Sequence, residues 1–176
     1  LVLLKVTGDV KEGGGLLSFA LKESKKVLTS LPIDFVYRFS NTGNDRVKPE
    51  GEIVIKNTFG GEVARLDANK SLGNILPGSV RRFEAHFGGD AAPQVSAPFF
   101  DHVKYQKDNF SLGMYTATIN LAFGNAGKAS SSLGYFVLPW QRLSVVGVVA
   151  LLVIILLVSA LKRYNQWIIK QARAAK

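Results

Sequence analysis

Cysteine is absent from the sequence, which removes disulfides, thiol catalysis and cysteine-based metal sites at once. Histidine is nearly absent, with only His86 and His102. His86 falls in a strand-like run beside Phe83, Ala85 and Phe87, on the polar face, and neither a nucleophile nor an orienting carboxylate can be named for it. His102 follows Asp101, a pair able to orient an imidazole, but no third partner is identifiable. Gly13–Gly15 lacks the Lys-Ser/Thr that a phosphate-cradling loop requires. Asp45, Asp67 and Asn69 offer oxygens, yet none stands at calcium-loop spacing. The expectation is therefore a protein that is not an enzyme and takes no cofactor and no metal.

Acidic residues are missing from the last third of the chain: all 13 precede residue 110. Of the 22 Lys and Arg, 16 lie in residues 1–140, so that region carries only +3 of the total +9. A charge so distributed marks a membrane flank rather than a basic nucleic-acid face, and no nucleic-acid partner is expected. Between Leu143 and Leu161 runs LSVVGVVALLVIILLVSAL, which has no charge and no proline. As a helix it reaches roughly 28 Å, close to the hydrocarbon thickness of a bilayer. Trp140 before it, and Tyr164 and Trp167 after it, stand where interfacial aromatics belong. Arg142 precedes the run, while Lys162, Arg163, Lys170, Arg173 and Lys176 follow it. Five cations against one place the C-terminus in the cytoplasm and the preceding region outside. These readings divide the chain into an extracytoplasmic part at 1–138, a transmembrane helix with its flanks at 139–163, and a basic cytoplasmic tail at 164–176. Membrane lipid is the first expected partner, with Trp140, Arg142, Lys162, Arg163, Tyr164 and Trp167 at the interfaces. The chain opens on Leu1 with no signal-peptide pattern, so the expectation is an export signal upstream, with the first residues a link from a further domain.

Residues 1–140 alternate strand-like runs with Gly, Asn, Pro and Asp punctuation and lack a helical period. Strands are expected at 1–7, 16–21, 33–40, 52–57, 62–67, 80–87, 113–123 and 133–138. In the third of these Ile33, Phe35, Tyr37 and Phe39 share one face, the period-two signature of a half-buried strand. Asn41-Thr42-Gly43-Asn44-Asp45 and Phe59-Gly60-Gly61 are turn chemistry, and Gly124–Ser132 reads as a polar turn. Seven or eight such strands argue for an all-β, immunoglobulin-like β-sandwich with Greek-key connections, followed by the one transmembrane helix. Tyr115, at a strand start, fits either a tyrosine corner or an ordinary core tyrosine. Asn69-Lys70-Ser71 and Asn109-Phe110-Ser111 match the glycosylation acceptor pattern, expected bare in a bacterial envelope, the setting that a cysteine-free exported chain favours.

Residues 88–111 interrupt the strand pattern and read as the longest irregular stretch, a loop of the kind that carries function. Phe99, Phe100, His102, Lys104, Tyr105 and Lys107 there mix cations with aromatics, suited to a protein partner or an anionic or carbohydrate polymer.

Four runs recur as a set: Phe39–Asn44; Lys48-Pro49-Glu50-Gly51-Glu52-Ile53; Asn57-Thr58-Phe59-Gly60; and Leu76-Pro77-Gly78-Ser79-Val80-Arg81. With the strand Gly113–Gly124 and the opening Leu4–Val10, the set resembles bacterial immunoglobulin-like surface proteins held by one C-terminal helix, and within these the WxL-interacting type and its relatives. Asp45-Arg46 and the stretch from Gly88 to Ser111 depart from the pattern. The resemblance implies domains that bind cell-wall polymer or partner surface proteins. The expected function is a membrane-anchored adhesion or scaffold protein at the cell surface. The alternatives are an accessory single-span subunit of a larger membrane complex and, resting on Asp101-His102 alone, an envelope hydrolase.

Overall fold

The computed structural model describes residues 9–29, 31–88, 96–109 and 112–174. The structure is mostly β. Among the described residues eight strands form in order: β1 (Gly14–Leu21), β2 (Val27–Leu28), β3 (Ile33–Asn41), β4 (Glu50–Asn57), β5 (Glu62–Asp67), β6 (Val80–Phe87), β7 (Gly113–Phe123) and β8 (Gly127–Val137). Two helices complete it, α1 (Phe99–Asn109) between β6 and β7, and α2 (Trp140–Ala174) at the end.

The strands make two sheets. One has the order β1-β3-β6 and the other β2-β8-β7-β4-β5. All pairings are antiparallel except β2 on β8, which is parallel. Alternation sets what each strand buries. In β3, Ile33, Phe35, Tyr37 and Phe39 point inward; in β7, Tyr115, Ala117, Ile119, Leu121 and Phe123 do the same. The inward faces of the two sheets meet in one apolar cluster. Phe35 tilts against Tyr135 at 6.0 Å, and Phe39 meets Phe123 edge-on at 4.9 Å.

Turns are fixed by buried asparagines. Asn41 donates from Nδ2 to the carbonyls of Asp45 (2.8 Å) and Ile75 (2.9 Å), and its Oδ1 accepts from the Gly43 amide (2.9 Å). Asn69 does the same work between Pro49 and Gly73. At Gly51 any Cβ would collide with the Asn120 carbonyl oxygen of the neighbouring strand, so β4 and β7 pair this closely only with glycine there.

Three expectations change. The 88–111 stretch is not irregular throughout, since residues 99–109 form α1. The expected turn at 124–132 belongs largely to β8, which begins at Gly127 and pairs with β7 along its whole length. The two-residue β2 carries no sequence signal long enough to mark it. The expected first strand at 1–7 lies outside the described residues.

Candidate functional site

α2 is one continuous helix whose apolar window has a mean hydropathy of 3.0, with none of that window buried against the rest of the protein. It is long and apolar enough to cross a membrane. A soluble protein would leave this surface in water at large cost, because burial of apolar area is the main favourable term in folding. Trp140 and Trp167 are about 40 Å apart along the axis, matching a bilayer with its headgroup layers. Tyr164 and Trp167 stack at 6.3 Å. Arg142, Lys162 and Arg163 lie on the same helix as expected, and the helix runs past residue 163 to Ala174.

The join between α2 and the sheets is short and tight. β8 ends at Val137 and α2 starts at Trp140, with Pro139 fully buried between them. Helix starts leave amides unsatisfied. Here the Leu143 amide reaches the Pro139 carbonyl (3.0 Å), and the Arg142 amide is taken by a side chain from elsewhere, Gln106 Oε1 of α1 (3.2 Å). Gln106 is only 3% exposed. Its Nε2 donates to Gln141 Oε1 (2.5 Å) and, more weakly, to the Thr29 carbonyl beside β2 (3.5 Å). One buried amide therefore ties α1, β2 and the first turn of α2 together. Phe99 packs on Trp140 at 6.1 Å, and the Tyr105 hydroxyl donates to the Gly88 carbonyl at the end of β6. Burial pushes the Tyr105 phenol up from its ordinary value.

The six residues expected to form a partner-binding loop thus lie on a helix. Phe99 and Tyr105 turn toward the join, whereas Phe100, Lys104 and Lys107 are exposed at i, i+4 and i+7, one stripe of α1. His102 is half-buried. Asp101 and His102 are consecutive in the helix, so their side chains point about 100° apart and the carboxylate does not orient the ring. Sequence reasoning missed Gln106 and Gln141, because no pattern marks a long-range cap.

His86 does have a carboxylate partner. The register opposes it to Asp34 across β3 and β6, and its Nδ1 lies 2.7 Å from Asp34 Oδ1. The pair belongs to an exposed charge cluster: Lys22 Nζ donates to Glu84 (2.9 Å) and sits 3.5 Å from Asp34, and Arg82 pairs with Glu84 (2.8 Å). The Lys22 hydrogen bond holds the Glu84 carboxyl below the usual carboxylate range, and Glu84 in turn raises Lys22. Exposed pairs of this kind contribute little to stability. Among the described residues, no group of three or more His, Asp or Glu converges as a metal site. Asp67 and Asn69 are engaged locally, Asp67 Oδ1 accepting the Asn69 amide (2.8 Å). Asn69 is buried with its Nδ2 donating to two carbonyls, so a glycan at the first glycosylation pattern does not fit this fold.

Neither a family model nor a curated protein matches this sequence. Among solved structures, similarity is found to a β-glucosidase of Erythrobacter marinus (TM-score 0.44, 9% identity, 72% of this chain and 16% of that one). It is also found to the sporulation control protein Spo0M of Bacillus subtilis (0.38, 11%, 70% and 49%). A third is β-glucosidase 3B of Thermotoga neapolitana, solved with glucose (0.38, 13%, 71% and 17%). The chain spans about a sixth of each glucosidase and half of Spo0M. At these scores the likenesses assign neither a fold family nor an activity.

Proposed function

We propose that this chain is a non-enzymatic, single-pass membrane protein whose β unit stands outside the cytoplasm and binds a protein partner or an envelope polymer. The observation that carries the reading is α2, a long apolar helix separated from β8 by only two residues and tied by Gln106 to α1 and to the Thr29 carbonyl beside β2. Lys162, Arg163, Lys170, Arg173 and Lys176 beyond the apolar run, against Arg142 before it, support a cytoplasmic C-terminus.

The strand order supports an immunoglobulin-like sandwich. The chain passes from one sheet to the other between β1 and β2, β2 and β3, β3 and β4, β5 and β6, and β6 and β7, and β2 pairs parallel with the last strand. The residues behind the resemblance to anchored surface proteins serve this frame. Asn41, Gly43, Pro49, Gly51 and Asn57 hold turns or strand contacts, so they support a shared fold and name no ligand. The stiff join favours the second reading too: a rigid single-span subunit presents its β unit in a fixed pose to a polytopic neighbour. Crosslinking in the native membrane tests the proposal. The expected product is a defined adduct with one surface protein or with wall polymer; recovery of the uncrosslinked chain alone contradicts it. A native mass matching a larger complex would select the subunit reading.

A further inference from the structure

One end of the β unit faces the start of α2. β8 ends there at Val137, paired with Gly113 at the start of β7. β4 ends opposite Tyr115, so the β4–β5 turn with Phe59 lies at the same end. Thr58 Oγ1 bonds both the amide and the carbonyl of Met114 at 3.0 Å, fixing that turn against β7. α1 packs there as well, through Gln106 and Phe99.

This end is rich in apolar surface that nothing among the described residues covers. Phe59 is 95% exposed, Phe100 73%, Met114 53%, Leu112 52% and Trp140 49%. Among the described residues, every exposed aromatic outside the far end of α2 is here: Phe59, Phe99, Phe100 and Trp140. The loop between β5 and β6, at the opposite end, exposes the aliphatic Leu72 and Leu76 instead. Aromatics concentrate where protein meets the headgroup layer, because their rings tolerate a half-wet environment. Lys104 and Lys107 share the exposed α1 stripe with Phe100, and Asp101 and Asp108 on the same helix balance their charge. An aromatic with lysines in its own exposed stripe suits a helix lying at a headgroup layer.

We propose that this rim is a second membrane contact, in which Phe59, Phe100, Leu112 and Met114 enter the headgroup–acyl boundary of the leaflet that α2 penetrates. The contact seats the β unit on the bilayer and sets the pose of its remaining surface. It rests on the reading that α2 spans a membrane, and it continues that interface sideways from Trp140. A polytopic protein covering the same rim is the competing occupant.

Because the sequence has no cysteine, single labels can be placed at will. Phe59→Cys, Phe100→Cys, Leu152→Cys and Asn125→Cys are each made in the full chain. Each is labelled with a polarity-sensitive fluorophore and reconstituted alone in nanodiscs of phosphatidylcholine and phosphatidylglycerol. Lipids carrying a nitroxide either near the headgroup or near the chain end then report depth. The expected result is a blue shift and loss of emission at Phe59 and Phe100 with the headgroup quencher, loss at Leu152 with the chain-end quencher, and none at Asn125. Loss at Leu152 alone overturns the rim and leaves that face to a protein neighbour. Loss at none of the four overturns the membrane span on which the rim depends. Equal loss at Asn125 also overturns the rim, since contact would then not be confined to this end.

Discussion

Two buried tyrosines make opposite demands on the core. The Tyr37 hydroxyl donates to the Ala68 carbonyl at 2.9 Å, and burial, reinforced by Asp67, pushes its phenol well above the ordinary range. Tyr135 is equally buried, stacks on Tyr115 at 5.8 Å, and its hydroxyl has no hydrogen-bond partner among the described residues. Losing a made bond leaves the Ala68 carbonyl unsatisfied, whereas losing an unmade one removes a desolvation cost. Tyr37→Phe should therefore destabilise the β unit by about 1–2 kcal/mol, and Tyr135→Phe should leave it unchanged or stabilise it by up to about 1 kcal/mol. Thermal unfolding of the detergent-solubilised chain, followed by near-ultraviolet circular dichroism, measures both. Equal destabilisation by the two substitutions would contradict the assignment.

Gln106 does for α2 what a local cap does for most helices, but from a different element. Gln106→Ala removes the acceptor of the Arg142 amide and the Gln141 contact, a loss of about 1–2 kcal/mol concentrated at the join. The sheets should stay folded, and the distance distribution between spin labels at Asn125→Cys and Leu152→Cys should broaden. An unchanged distribution would show that Pro139 and the Phe99–Trp140 contact suffice to hold the helix. α2 and the strands β3 to β7 were legible because each carries its own period or an unbroken apolar run. α1 was not legible. Its inward side mixes Phe99, Val103 and Tyr105 with His102 and Gln106, so polar side chains break up what would otherwise be an apolar stripe. β8 was half-legible: Lys128, Ser130 and Ser132 point outward between small, half-buried Ala129 and Ser131, and pairing with β7 rather than hydropathy makes the strand. Legible too was the polar face of β6, while its Asp34–His86 pair was not, since cross-strand register is needed to see it.

Taken together, the two sheets, the clamp and the long helix describe a β unit held against the start of a helix long and apolar enough to cross a membrane. Rigidity at the join matters for binding, because a pre-set pose spares the entropy of ordering the unit when a partner arrives. The residues that form the sheets serve largely turns and core, which leaves the apolar rim beside α2 and the outer sheet faces as the surfaces free to carry specificity. The account stands or falls on the direction in which α2 crosses. Asn125→Cys and Gln171→Cys, exposed to a membrane-impermeant thiol reagent on intact cells, decide it. The prediction is labelling of Asn125→Cys on intact cells and of Gln171→Cys only after the membrane is opened. Labelling of Gln171→Cys first, or release of the chain from membranes without detergent, would contradict it.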